Sequence, residues 1–130
     1  MSRAFIALFI LLQVLTSCTQ KVAQQSSETL NSNLSQSDLK TFILKETEAG
    51  GKLDYFTSIK GHEYDGIQVK PGIYDTKIGL AIYKWGKANY DAGVKSLEEV
   101  YAIFSEYKKR PVNEIEKTYL KMGFGRELEK

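Results

Sequence analysis

The sequence predicts a mainly helical α+β domain over residues 37–130: a small bundle of three to four helices with at most a short β-hairpin, set behind a flexible tether. Three observations carry this. Apolar residues recur at three- and four-residue steps along two stretches, Val94-Leu97-Tyr101-Phe104-Tyr107 and Val112-Ile115-Tyr119-Met122. Helix and turn breakers fall between such stretches, at Gly50-Gly51, Pro71-Gly72 and Pro111. One stretch, Leu53-Tyr55-Thr57-Ile59, alternates with period two instead.

The chain opens with Arg3, an unbroken apolar run from Ala4 to Leu12, and then small residues ending at Cys18. That is the layout of a secretory signal peptide over residues 1–17. The run is too short to cross a bilayer, which takes about 20 apolar residues. Leu15-Thr16-Ser17-Cys18 resembles the lipobox of bacterial prolipoproteins. The resemblance implies cleavage before Cys18, a diacylglycerol on its sulfur and an acylated amino group. Acyl chains contribute about 0.8 kcal/mol per buried CH₂, so two or three of them anchor a protein stably. Thr19, where an Asp would imply retention at the inner membrane, implies the outer membrane.

Residues 18–36 follow as the lipidated cysteine and tether. Gln, Ser, Asn and Thr dominate, and Val22, Leu30 and Leu34 stand alone. As a random coil this length spans roughly 25 Å.

The domain begins with a helix from Asp38 to about Ala49, capped by Ser37, with Leu39, Phe42 and Ile43 as its apolar face. Gly50-Gly51 stops it. Leu53 to Ile59 reads as a strand, Gly61 to Gly66 as a turn-rich loop, and Ile67-Gln68-Val69 as the returning strand, ended by Pro71-Gly72. Asp75 caps a helix through Lys87 with Tyr74, Ile78, Ile82 and Trp85 on one side; Gly79 keeps a strand from Ile78 to Trp85 open as the alternative. A helix from Asp91 carries the first periodic stripe and stops before Pro111. Pro111 then suits the first turn of a last helix, ended by Gly123 and Gly125. Trp85-Gly86, Tyr90, Phe104 and Pro111 are faintly similar to a tetratricopeptide unit. Only one copy is visible where stacking needs about three, so an ordinary antiparallel helix pair is the reading.

Composition narrows the function. Lys plus Arg is 18 and Asp plus Glu is 16, without a basic stripe, so no nucleic-acid partner is expected. A single cysteine excludes an internal disulfide and a cysteine zinc site. His62, the one histidine, lies in Gly61-His62-Glu63-Tyr64-Asp65-Gly66, which reads as a solvated turn rather than a metal site. There is no Gly-x-Ser-x-Gly elbow and no Gly-rich phosphate loop. Glu98 and Glu99 read as a solvated helix face. No catalytic residue, cofactor or metal is expected, and the residues favour a non-enzymatic role over an enzyme.

The distinguishing feature is eight tyrosines and Trp85. Tyr64, Tyr83, Trp85 and Tyr90 are the candidate partner surface, because Tyr and Trp bury large areas at low entropic cost. The expectation is an envelope lipoprotein, anchored through Cys18, that binds a protein partner in the manner of assembly, exclusion or immunity proteins. The alternative is a small protein that binds or hydrolyses cell-wall glycan or peptide.

Overall fold

The computed structural model describes residues 35–130. The expected signal peptide, Cys18 and the expected tether up to residue 34 lie outside the described residues.

Helix α1, Gln36–Thr47, buries Ile43 and Thr47, one turn apart. It begins two residues before Asp38, so Ser37 lies inside it, where its carbonyl accepts from the Thr41 hydroxyl at 2.9 Å. Leu39 packs on the core as expected, whereas Phe42, expected on the same face, is 42% exposed and Leu44 packs on the core in its place. The chain then turns through Gly50, whose φ of 85° suits glycine, and Leu53 N–H closes back on the Glu46 carbonyl at 2.8 Å.

The strand expected over Leu53–Ile59 is absent. Asp54 is the reason. Its carboxylate accepts backbone N–H groups of Gly50 and Thr57 at 2.9 Å and of Phe56 at 3.3 Å. A short acceptor side chain satisfies these donors locally, which removes their need for a ladder partner. A 3₁₀ turn, Thr57–Ile59, results, and Leu53, Tyr55 and Phe56 pack on the core.

The hairpin that does form pairs β1, Gly66–Lys70, with β2, Ile73–Thr76, antiparallel. Pro71-Gly72 ends the strand over Ile67–Val69 as expected and is the turn of this hairpin, with Gly72 at φ 77°; that strand is the outgoing one and not the returning one. The register runs Gly66↔Thr76, Ile67↔Asp75 and Gln68↔Tyr74, then slips between Gln68 and Lys70. Tyr74 and Asp75, expected on a helix, are therefore strand residues.

Helix α2, Lys77–Ala92, starts where Thr76 caps Gly79 N–H at 3.1 Å. Its first free donors are also used: Lys77 N–H meets the Asp65 carbonyl at 3.0 Å and Ile78 N–H the Glu63 carbonyl at 2.9 Å. These bonds fix the 61–66 loop against the helix start. The helix runs past Asp91, expected to open the next one, and ends at Gly93, φ 100°. Helix α3, Leu97–Lys108, is capped by Ser96 and turns at Lys109. Helix α4, Glu114–Phe124, opens with a capping box: Asn113 takes Glu116 N–H and Glu116 returns to Asn113 N–H.

The core gathers Ile43, Ile82, Trp85, Val94, Val100, Ile103, Phe104 and Leu120. Trp85 meets Phe104 edge-on with ring centroids 5.1 Å apart, and its indole N–H donates to Thr47 at 2.9 Å. Helices α2 and α4 nearly touch through their backbones. A Cβ at Gly123 would stand 2.0 Å from the Tyr83 carbonyl oxygen, and one at Gly86 2.6 Å from that of Leu120. Gly123 is thus a packing residue inside α4 and not its terminator.

Candidate functional site

The α2–α4 crossing leaves a cleft of 670 Å³ at the ends of the helices nearest the hairpin. Ile78, Gly79 and Ile82 of α2 and Tyr119 of α4 line it. Gly79 is what lets Tyr119 lie there: a Cβ at Gly79 would meet the ring 2.6 Å away and the Asp75 carboxylate 2.9 Å away. The Tyr119 hydroxyl donates to Asp75 at 2.6 Å. That bond, with burial second, raises the phenol above its ordinary value.

Tyr64, on the loop fixed to the start of α2, and Ile115, in the first turn of α4, complete the apolar lining. Tyr64 is 85% exposed and Ile115 70%. Ile115 was expected on the buried stripe of the last helix. The capping box sets a different phase, turning Glu116 inward and Ile115 out.

The polar lining is largely committed to itself. Arg110 donates to both oxygens of Glu116, at 2.9 and 2.6 Å, and Asn113 N–H reaches the same carboxylate at 3.0 Å. Arg110 foremost, against the cost of burial, holds the Glu116 carboxyl below its usual range. Lys108 closes this side of the cleft. Its ammonium lies 4.6 Å from the Phe56 ring centroid, 5.2 Å from that of Tyr107 and 5.6 Å from that of Phe104. Burial pushes it below the ordinary lysine value.

The four aromatic residues expected at one surface are dispersed. Tyr64 lines the cleft. Tyr90, 48% exposed, meets Phe124 edge-on at 5.3 Å, with the Arg126 guanidinium 5.2 Å from its ring centroid. Tyr83 and Trp85 are core residues, 5% and 0% exposed, and cannot touch a partner. Tyr83 is held by its hydroxyl, which accepts Leu128 N–H at 3.1 Å. The correction follows from α2 being covered on more than one side: α4 takes one face and the core of α1 and α3 the other. A helix so placed buries most of its aromatic residues.

His62 is exposed, its Nδ1 3.0 Å from Asp65, whose carboxylate also receives the Lys77 ammonium at 3.1 Å. Lys77 first and His62 second lower the Asp65 carboxyl. Glu63 is lowered mainly by the Gly61 backbone N–H. The loop is a solvated turn braced onto α2. Among the described residues no three His, Cys, Asp or Glu side chains gather as a metal site, and no helix is long and apolar enough to cross a membrane.

Sequence reading missed Lys108, Arg110, Ile115 and Tyr119 as cleft residues. Lys108-Lys109-Arg110 reads as a charged helix end, and Tyr119 as core. Asn113-x-x-Glu116 was the legible signal, since a capping box fixes which residues of the first turn face out. Compared with family models, curated proteins and solved structures, the chain matches none.

Proposed function

We propose that this protein is a bacterial envelope lipoprotein that is anchored by lipid on Cys18 and binds a protein partner through the α2–α4 cleft, without catalysis. One observation carries the binding site: Tyr64 and Ile115 stand 85% and 70% exposed while lining the same 670 Å³ cleft. Large apolar side chains left in water beside a concave surface have no role in the core and suit a partner's apolar residue. The two carboxylates that line the cleft support a binding role over acid–base chemistry, because Glu116 is engaged by Arg110 and Glu63 takes the Gly61 backbone N–H. The anchor rests on Arg3, the apolar run and Leu15-Thr16-Ser17-Cys18. Thr19 in place of an Asp after Cys18 favours the outer membrane.

The test is recovery of the tagged protein from its native envelope in detergent. One protein partner in near-equal amount is expected with the wild type. Ile115→Asp should lose it without loss of folding, since Ile115 lies on the surface. Cys18→Ala should release the protein from the membrane fraction. A partner held equally by Ile115→Asp would refute the cleft as its site.

A further inference from the structure

The cleft continues into a second depression of 270 Å³, lined by Phe56, Ile59, Lys60 and Tyr107. Lys108, Glu63 and Ile78 line both, so Lys108 sits at their junction. Its stem is half-buried, its ammonium hovers over three rings, and it belongs to none of the ion pairs among the described residues. Glu116 acts on it, but that carboxylate is already gripped by Arg110.

An ammonium withdrawn from water without an anion is costly. Ring faces return part of that. A carboxylate brought to it would add a charge-assisted hydrogen bond in a partly dry setting. The surroundings specify which anion. Glu63 and Lys108 share this lining, but the Glu63 carboxylate takes the Gly61 backbone N–H, and Ile78, Tyr64 and Ile115 give the same cleft an apolar side, so the ligand must carry an apolar side chain next to its charge. The Arg110 fork, the group best shaped for phosphate, is spent on Glu116. Lys60 lines only the second depression, so within the cleft one point charge is left for an anion, and that matches a monoanion.

Resting on the reading of this cleft as the partner site, we infer that Lys108 receives a carboxylate of the partner protein: an acidic or C-terminal peptide segment whose neighbouring apolar side chain enters between Tyr64 and Ile115.

The test uses the full chain in detergent micelles, titrated with N-acetyl-leucine, with its uncharged amide, and with inorganic phosphate, and followed by NMR. Resonances of Ile78, Lys108 and Tyr119 should move with the acid, and the amide should bind about tenfold more weakly, the usual weight of one charge-assisted contact. Lys108→Met, which keeps the stem over the rings, should erase that difference, and Lys108→Arg should preserve it. Equal binding of acid and amide, no binding of either, or phosphate binding as tightly as the acid would overturn the inference, the last pointing to a phosphate ligand. Failure here is separable from failure of the broader reading. If the envelope partner is lost by Ile115→Asp but held undiminished by Lys108→Met, the cleft stands and the carboxylate does not. If wild type recovers no partner at all, the broader reading falls.

Discussion

The backbone contact between α2 and α4 makes Gly123 a position sensitive to a single added methyl group. Gly123→Ala adds one methyl group whose carbon would sit 2.0 Å from the Tyr83 carbonyl oxygen and 3.0 Å from the Lys87 nitrogen. Ordinary carbon contacts are about 3.5–4 Å, so the helices must part by more than 1 Å or shear. Neither obstacle is the end of a flexible side chain. Overpacking of this kind costs about 3 kcal/mol at the upper end of its usual range. Alanine returns up to about 1 kcal/mol through its better helix propensity. The net loss is about 2 kcal/mol, and for a domain of this size that lowers Tm by roughly 8–16 °C. Gly66→Ala is the control: nothing lies within 4 Å of its added Cβ and its φ is not positive, so Tm should stay within about 4 °C of wild type. Thermal melts followed by far-UV circular dichroism decide the matter. A Gly123→Ala protein melting within about 2 °C of wild type would mean that the two backbones do not meet as described.

Other perturbations follow from single contacts. Thr47→Val leaves the Trp85 indole N–H without its acceptor in a dry core, and denaturant melts should show a loss of about 1–3 kcal/mol. Glu116 gives a pH signature. Its native carboxyl is held below the ordinary 4.5, so the native state binds this proton less readily than the unfolded chain. The stabilisation is therefore present above about pH 4.5 and is lost as pH falls through the lower native value. Glu116→Gln should reduce Tm at neutral pH and flatten its fall on acidification; an unchanged acid limb would contradict the Arg110 pairing. Tyr64→Ala should change stability by less than about 0.5 kcal/mol, because the side chain is exposed, yet it should diminish partner recovery. A large drop in Tm would show instead that Tyr64 supports the fold.

Much of this protein is local and hence legible in the chain itself. The mainly helical class follows from periodic apolar residues, and the last two helices fall near Val100–Tyr107 and Tyr119–Met122 because their breakers and stripes agree. The apolar run before Cys18 is also a local pattern, and it motivates the anchor. The strand over Leu53–Ile59 was misread because alternation alone does not reveal whether backbone donors have another acceptor. Asp54 supplies one, and only the folded loop brings Gly50 to it. The true hairpin partner, Ile73–Thr76, was hidden by an Asp75 that looks like a helix cap.

What tertiary structure decided was exposure. Tyr83 and Trp85 have the same interface chemistry as Tyr64, but α2 is covered on several sides and Tyr64 lies on a loop. Ile115 and Glu116 exchange the places that hydrophobicity alone assigns them, because the capping box sets the phase of α4 and Arg110 arrives to pair the buried acid. Likewise, a basic run at a helix end says nothing of Phe56, Tyr107 and Phe104 gathering beneath one of its lysines. Hydrogen bonds within a few residues are written in the sequence. Which faces are left over when helices cross depends on packing between distant segments, and that is where the cleft comes from.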